Sequence, residues 1–339
     1  MKFSTKHSPT NKTWWLICFF SVFILFTSCK KWNEPPSVTV TTVASGLISP
    51  MGIDIDKEGN FWVTEGETFN NDGKVWVVTP NGKKYPAIIK LSAFKNVQSK
   101  EPQGTSHLLL DKGNLYVLSG DFLYRIDVSK FKPGYSNPID ASKLAREDIG
   151  SFVYSKVYPD SHAYNLTIGP DGDLYIADAG ANAIIHRQGW NRYSMLADLP
   201  GFKNPTLVGP PEIQAVPTSI WWDGDDFLVT TLSGFPFLKG LAVIYKVSLS
   251  GKVSVYQKGL STLVDLAPGK KGFQLAVHYG DFGPTGFVPN SGSLLWVNGM
   301  TSTQLVGNLN MPVGIKQINN ETWFVTCMGD GTIKKVTYN

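Results

Sequence analysis

Charge, cysteine and long apolar runs are all scarce in this chain of 339 residues. Charged residues make up 17%, against about 25% in an average soluble domain. The three cysteines are too few for a disulfide framework. The apolar stretch at residues 14–26 is too short to cross a bilayer core of about 30 Å. No G-x-S-x-G, H-E-x-x-H, C-x-x-C or G-x-G-x-x-G pattern occurs, so no familiar catalytic motif defines an activity.

Aromatic and turn-forming residues are plentiful instead. The chain is 12% aromatic and contains 33 Gly and 21 Pro. Aromatic side chains favour strands, whereas Gly and Pro favour tight turns. Apolar residues reach 42%, which is too many for a disordered chain. This composition predicts short strands joined by turns, and it excludes a helical bundle, a collagen-like chain and a knottin.

The first 28 residues predict an export signal. Lys2, Lys6 and Lys12 precede the apolar stretch, and a basic segment followed by roughly 7–15 apolar residues is typical of secretory signals. The stretch ends in Phe-Thr-Ser-Cys at residues 26–29, which resembles the bacterial lipobox. The resemblance implies cleavage before Cys29 and acylation of that cysteine. An ordinary signal peptide, in which Cys29 has no role, is the alternative.

We therefore expect an extracytoplasmic, membrane-anchored protein. Lys30 follows the cysteine where Asp could stand, which is similar to lipoproteins sent to the outer membrane of Gram-negative bacteria. Residues 29–37 contain two prolines and predict a short extended tether. The signal holds three of the 31 basic residues and none of the 27 acidic ones. Without the signal, the net charge of the protein is near +1, so its charge gives no support to nucleic-acid binding. The predicted anchor implies a membrane partner.

A phrase made of a turn and an apolar strand recurs along the rest of the chain. Its turn glycines are Gly59, Gly113, Gly172, Gly224 and Gly272, separated by 54, 59, 52 and 48 residues. A sixth copy, without the glycine, covers residues 319–327. Repeats of about 40–50 residues built from short strands are typical of β-propellers.

Six units of four strands predict an all-β, six-bladed β-propeller over residues 38–339, as one domain. The sixth unit supplies only three strands, and residues 38–43 form an additional strand before the first unit. We expect this N-terminal strand to complete the last blade, because closing the ring removes exposed strand edges. Two insertions, residues 92–105 and 129–162, interrupt the repeat. Within the longer one, residues 140–154 predict a single helix with Asp140 as its N-cap.

A family resemblance is carried by two stretches of the fourth unit. Val-Pro-Thr-Ser-Ile at residues 216–220, and Leu-Ser-Gly-Phe-Pro-Phe at residues 232–237, resemble the ScyD/ScyE family of propellers. The resemblance covers residues 38–339, and related phrases occur in NHL and SMP-30-like propellers. Where the family tends to have Ser-Asn-Pro-Tyr, this chain has Ser-His-Ala-Tyr at residues 161–164. Membership implies a secreted propeller without an established reaction.

Polar residues near the propeller axis are the candidate site. The first strand of each blade lines the channel, and aligning these strands places six residues at one level: Gly52, His107, Asn165, Ser219, Asp265 and Gly314. The ends of the second strands add three further candidates: Glu65, Asp178 and His278. Convergent polar groups in a concave mouth predict a ligand site.

Two functions remain open. The first is a lipid-anchored module that binds a small ligand, a glycan or a partner protein. The second is a metal-dependent hydrolase, because the surroundings of Asn165 and Asp265 resemble those of SMP-30-like lactonases. That resemblance implies Ca²⁺ or another divalent ion in the channel, although the family's Glu position is Gly52 here and its other Asn is at best His107. A structural ion or ordered waters would satisfy the same groups, and we favour the binding module.

Overall fold

Each repeat of the sequence forms one antiparallel sheet in the computed structural model, which describes residues 1–4, 36–65, 70–95, 102–270 and 272–339. Cys29, the apolar stretch and most of the tether lie outside these residues, so the signal and the anchor stay predictions. Among the described residues, none of the helices is long and apolar enough to cross a membrane.

The first two blades follow an isolated N-terminal strand, β1 (Val38–Ala44). Blade 1 contains β2 (Pro50–Ile55), β3 (Phe61–Glu65), β4 (Gly73–Val78) and β5 (Lys84–Leu91). A hairpin follows, made of β6 (Phe94–Lys95) and β7 (Pro102–Gln103). Blade 2 contains β8 (Thr105–Asp111), β9 (Asn114–Ser119) and β10 (Phe122–Asp127). The long insertion then forms β11 (Ile139–Asp140), a 3₁₀ turn (Ala141–Lys143), β12 (Glu147–Asp148) and α1 (Ile149–Ser155).

The remaining four blades continue the same order. Blade 3 contains β13 (Ala163–Ile168), β14 (Leu174–Asp178), β15 (Ala183–Gly189) and β16 (Arg192–Asp198), and a hairpin of β17 (Phe202–Lys203) and β18 (Glu212–Ile213) follows. Blade 4 contains β19 (Pro217–Trp222), β20 (Phe227–Thr231), β21 (Ala242–Val247) and β22 (Val253–Leu260). Blade 5 contains β23 (Leu263–Pro268), β24 (Gln274–His278), the hairpin β25 (Phe282–Gly283) and β26 (Gly286–Phe287), β27 (Gly292–Val297) and β28 (Ser302–Leu309). Blade 6 contains β29 (Pro312–Asn319), β30 (Thr322–Cys327) and β31 (Thr332–Tyr338).

The ring closes as the sequence predicts. The innermost strands β2, β8, β13, β19, β23 and β29 each contact the next one around the ring, and β29 contacts β2. Strand β1 pairs antiparallel with β31, so that Val38 lies opposite Tyr338 and completes blade 6. The six-bladed propeller with an N-terminal closing strand is therefore confirmed.

The hydrophobic core is divided among the interfaces between blades. Each of the six interfaces contains one cluster of buried apolar side chains. Trp323, for example, is fully buried between blades 5 and 6, and its Nε1 donates a hydrogen bond to the Pro268 carbonyl at 2.8 Å. Each blade is thus stabilised by both of its neighbours, as expected for a closed repeat.

The insertion differs from the single helix predicted at residues 140–154. Asp140 does act as a cap, but of the 3₁₀ turn, by accepting a hydrogen bond from the Ser142 amide at 3.1 Å. The α-helix begins later, where Asp148 accepts from the Ser151 amide at 2.8 Å. Between them Glu147 is fully buried and accepts from Arg187 Nη2 of blade 3 at 2.6 Å. This long-range ion pair holds the chain extended as β12, the edge strand of blade 2, and so interrupts the helical pattern.

Candidate functional site

The axial channel has one open end in the part of the chain that the structure describes. Each of the six innermost strands begins with a fully buried residue and ends with a half-buried or exposed one. Exposure therefore increases towards the turns that lead to the second strands. We call this end of the propeller the mouth face.

A cavity of about 220 Å³ occupies the axis and opens on the mouth face. Its inner level is formed by the four polar residues that the strand alignment predicts: His107, Asn165, Ser219 and Asp265. Asp54 and Lys316 lie nearer the mouth. The structure thus brings together side chains from blades 1 to 6 around one small polar space.

Asp265 is the most highly hydrogen-bonded residue of the cavity. Its Oδ1 accepts from Ser219 Oγ at 2.8 Å, Asn165 Nδ2 at 3.2 Å and the Leu266 amide at 2.8 Å. Its Oδ2 accepts from the Ile315 amide at 2.9 Å. Burial nevertheless raises the pKa of Asp265, because desolvation of the carboxylate outweighs these donors and the nearby His107. Only Oδ2 has lone-pair capacity left for a ligand.

His107 faces this carboxylate from the opposite side of the ring. Its Nδ1 lies 3.0 Å from the Tyr164 carbonyl, and because a carbonyl can only accept, Nδ1 carries the proton. In the neutral ring Nε2 is then an acceptor. This Nε2 is buried without a hydrogen-bond partner among the described residues, and it lies 3.8 Å from Asp265 Oδ2. Burial lowers the pKa of His107, outweighing the opposite effect of Asp265, so the ring favours its neutral form.

The charged pair near the mouth was not among the residues predicted from the sequence. Lys316 Nζ lies 2.6 Å from Asp54 Oδ1, and Asp54 Oδ2 accepts from the Leu110 amide at 2.8 Å. In the sequence, Asp54 comes two positions after the aligned Gly52, and Lys316 comes two positions after the aligned Gly314. Since side chains of a strand alternate between two faces, this spacing could have identified them as the next level of the channel.

The three candidates at the ends of the second strands do not line the cavity. Glu65 accepts from the Ile48 amide at 2.6 Å and from Trp76 Nε1. Asp178 accepts from the His162 amide at 2.7 Å and the Ala181 amide at 2.9 Å. These two carboxylates hold loops of the end opposite to the mouth face.

His278 lies at the same end of blade 5. Its Nδ1 is 3.2 Å from Ser293 Oγ, and its Nε2 is 3.8 Å from Asp281 Oδ1. Burial lowers the pKa of His278. Its contacts are therefore made within its own blade, away from the axial cavity.

The residues of the cavity do not fit the four-ligand ion that the lactonase resemblance implies. A Cβ on Gly52 would lie 2.6 Å from the His107 Cα, so this level has no room for the glutamate of that ligand set. The candidate ligand atoms at this level are His107 Nε2, Asp265 Oδ2 and Asn165 Oδ1, which already accepts from the Leu166 amide at 2.8 Å. Among the described residues, the one trio of acidic or histidine groups with ligand atoms within 4.8 Å of one another is Asp171, Asp173 and His186, outside the cavity.

Comparison with known proteins supports the fold. No protein-family model matches the chain, and no curated protein does. Solved structures match over most of its length. The PQQ-bound aldose sugar dehydrogenase of Streptomyces coelicolor has a TM-score of 0.60 and 12% identity, covering 90% of this chain and 100% of that one. Virginiamycin B lyase from Staphylococcus aureus has a TM-score of 0.53 and 15% identity, covering 89% of this chain and 99% of that one. A gluconolactonase from Xanthomonas campestris has a TM-score of 0.56 and 10% identity, covering 90% of this chain and 95% of that one.

These likenesses support the β-propeller fold. Its structural neighbours include a gluconolactonase, a virginiamycin B lyase and a sugar dehydrogenase. The neighbours are named for three different reactions, and identities of 10–15% indicate the shared fold alone. Function therefore has to be argued from the site.

Proposed function

We propose that this protein is a binding module that holds a small polar ligand in the axial cavity. The observation that carries the proposal is the gap between His107 Nε2 and Asp265 Oδ2, two buried acceptors 3.8 Å apart. Buried polar groups without partners cost free energy. His107 Nε2 is the atom without a partner, whereas Asp265 Oδ2 already accepts from the Ile315 amide and can accept once more. A ligand that donates to His107 Nε2, and also to Asp265 Oδ2, would remove that cost.

The volume of the cavity and the charged groups near its mouth limit the kinds of ligand that could bind. The cavity of about 220 Å³ is smaller than the roughly 300–1,000 Å³ of sites for drug-sized ligands. Asp54 and Lys316 add an acceptor and a cation near the mouth. We therefore expect a hydroxyl- or amino-bearing molecule of monosaccharide or amino-acid size, or the end of a glycan.

The test is a thermal-shift screen of residues 37–339, which form a compact unit containing all six blades, against monosaccharides, aldonolactones and amino acids. Each hit is then titrated calorimetrically into the wild type, His107→Gln and His186→Gln. We expect His107→Gln to weaken binding about tenfold or more, equivalent to about 1.4 kcal/mol. His186 lies outside the cavity, so its variant serves as the control. Hits that bind His107→Gln as tightly as wild type would place the ligand elsewhere.

A metal-dependent hydrolase acting in the channel is the second candidate. One observation favours it: His107 Nε2 and Asp265 Oδ2 could both contact a single divalent ion such as Ca²⁺. The clash at Gly52 and the saturated Oδ1 of Asp265 place it second. Lactone hydrolysis that requires an added divalent ion, and that is lost in Asp265→Ala under conditions where circular dichroism shows the variant folded, would establish this candidate over the binding module.

We also propose that the protein is a ScyD/ScyE-type lipoprotein, anchored through Cys29 in the outer membrane of a Gram-negative bacterium. The support is in the sequence: the basic and apolar signal, the lipobox-like residues 26–29 and the family-like phrases at residues 216–220 and 232–237. In cell fractionation we expect the wild type in the membrane fraction and Cys29→Ala outside it. Unchanged partitioning of the variant would refute the anchor.

A further inference from the structure

A second, larger concavity lies on the mouth face, away from the axis. It measures about 800 Å³ and is built between blades 1 and 2. Its walls are the β2–β3 turn at residues 55–60, the β8–β9 turn around Lys112, and residues 128–133 after β10. It shares no lining residue with the axial cavity, and we call it the lateral groove.

The floor of the lateral groove is apolar. Trp62, Leu110 and Phe131 line it, and the rings of Trp62 and Phe131 meet edge to face with centroids 5.6 Å apart. Such a surface favours an apolar body, and aromatic rings favour a planar one.

The groove wall at residues 128–133 is held in place by backbone hydrogen bonds. The Val128 amide donates to the Gly113 carbonyl at 2.9 Å, and the Phe131 amide donates to the Val128 carbonyl at 3.0 Å. Gly113 has a φ of 80°, and a Cβ there would lie 2.9 Å from Ser129 Cβ. The two walls therefore meet closely at this end, so the groove is formed before any ligand binds, which lowers the entropic cost of binding.

Four lysines surround the apolar floor: Lys57, Lys112, Lys130 and Lys132. Lys57 and Lys112 are 90% and 88% exposed and contact carboxylates only at 3.7 and 4.0 Å, and such exposed pairs contribute little. No carboxylate of the described residues lies within 4.0 Å of Lys130 or Lys132.

The acidic residues of the groove do not balance these lysines. Asp56 directs its carboxylate into its own turn, accepting from Asn60 N at 2.8 Å, Asn60 Nδ2 at 2.9 Å and Trp62 Nε1 at 3.0 Å. Glu58 is the other acid that lines the groove, and it pairs with Lys57. Outside the lining, Asp111 lies beside Lys112 and Asp127 beside Lys130. The groove thus combines an apolar floor with four exposed lysines at its rim, against two acids among the lining residues.

From this combination we propose that the lateral groove binds an amphipathic anion: a flat or acyl apolar body on Trp62, Leu110 and Phe131, with a phosphate, sulfonate or carboxylate among the lysines. Both free metabolites and anionic lipid headgroups with attached chains have this chemistry. Lysines act on such groups as mobile point charges, so the groove selects for charge and an apolar body more than for one headgroup geometry.

The test compares 1-naphthyl phosphate with the neutral 1-naphthalenemethanol by calorimetric titration of residues 37–339. We expect 1:1 binding of the phosphate, a clear loss of affinity between 50 and 500 mM salt as screening increases, and at least about tenfold weaker binding of the alcohol. Equal affinity for the two compounds, or no binding of either, would overturn the proposal.

Two charge-reversal variants locate the site. Lys130→Glu/Lys132→Glu changes the rim of the groove, and Lys252→Glu/Lys258→Glu makes the same change of net charge with exposed lysines of blade 4. All four residues are exposed, so both variants should fold, which circular dichroism verifies. We expect the first to weaken 1-naphthyl phosphate binding about tenfold or more and the second to have less than about a twofold effect. Equal loss in both variants would contradict a site in the groove.

Vesicles distinguish the two sources of the ligand. Wild type is sedimented with phosphatidylglycerol or phosphatidylcholine vesicles, with the groove variant as the control. Selective, groove-dependent binding to phosphatidylglycerol identifies a lipid. Binding of 1-naphthyl phosphate without vesicle binding identifies a free metabolite, and binding to phosphatidylglycerol that the groove variant retains counts against the proposal.

Discussion

The Nε2 atom of His107 on blade 2 lies 3.8 Å from Oδ2 of Asp265 on blade 5, on the axis of the ring. Both residues are buried, with exposed fractions of 4% and 7%, and no hydrogen bond joins the two atoms. His107 Nε2 has no hydrogen-bond partner among the described residues, so it needs a donor, and Asp265 Oδ2 can accept from the same group in addition to the Ile315 amide. The cavity at this point is therefore shaped for a ligand group, or a water, that carries protons.

The first prediction concerns the protonation of His107. Because the Tyr164 carbonyl accepts from Nδ1 and burial lowers the pKa of the ring, we expect a neutral Nδ1–H tautomer at pH 7, with a pKa below 6.5. Long-range ¹H–¹⁵N spectra over a pH titration measure both, with the His107→Gln spectrum providing the assignment. A protonated ring at pH 7, or the Nε2–H tautomer, would contradict the geometry.

The second prediction is that Asp265 stabilises the ring of innermost strands. Its carboxylate accepts from side chains of blades 3 and 4 and from the Ile315 amide of blade 6. Asp265→Ala leaves these buried donors unsatisfied, so we expect a loss of at least about 3 kcal/mol in the free energy of unfolding. Urea denaturation measures it, and Asp225→Ala in an exposed turn should stay within about 0.5 kcal/mol of wild type. If Asp265→Ala also changed the free energy of unfolding by less than about 0.5 kcal/mol, the hydrogen bonds to Asp265 would not stabilise the ring as predicted.

The architecture was predictable because its signal is local and repeated. Gly59, Gly113 and Gly172 have φ angles of 82°, 80° and 84°, a conformation that favours glycine. Each turn of this kind therefore has a glycine at the same position in its blade, and the repeat can be read from the sequence. The insertion was not predictable in the same way. Glu147 forms an ion pair with Arg187, 40 residues further along the chain, and no local pattern of residues 140–154 contains that contact.

Only one level of the axial cavity, the one that contains the aligned residues, was predictable from the sequence. The strand alignment identified His107, Asn165, Ser219 and Asp265 because the blades repeat in register. It missed Asp54 and Lys316, which lie one side-chain repeat closer to the mouth. The ends of the second strands were less informative, because whether a carboxylate such as Asp178 faces the axis or a neighbouring loop depends on the path of that loop, which varies between blades.

The third prediction tests how tightly the innermost strands approach. A Cβ at Gly52 would lie 2.6 Å from the His107 Cα, a backbone atom that cannot move alone. We expect Gly52→Ala to cost about 1–3 kcal/mol of unfolding free energy through overpacking, measured by urea denaturation. Gly283→Ala is the matched control, because its new Cβ would lie 3.4 Å from the Val288 side chain and 3.7 Å from the Gly286 carbonyl oxygen, which are ordinary van der Waals distances. Equal stability of the two variants would mean that the strands can separate at little cost.

The fourth prediction is a pH-dependent contribution of Asp121, near the start of α1. Burial, together with the nearby carboxylates of Asp178, Asp160 and Asp148, raises its pKa from 3.8 to about 7. Its Oδ1 has no hydrogen-bond partner among the described residues. The folded protein therefore holds this proton more tightly than the unfolded chain does. The resulting stability is fully present below about pH 3.8 and is lost as the pH rises through about 7.

Asp121→Asn keeps the shape of the side chain and removes its titration. At pH 5 the folded wild-type carboxyl is largely protonated and part of this stability remains, so the two Tm values should differ less than at pH 8. At pH 8 the wild type carries the unfavourable charge, so we expect the variant to melt about 2–4 °C higher, since 1 kcal/mol corresponds to about that shift in a domain of comparable size. The exposed control Asp225→Asn should show no such divergence between the two pH values. Calorimetry measures all three, and a Tm difference that is the same at pH 5 and pH 8 would show that Asp121 is already ionised in the folded protein at the lower pH.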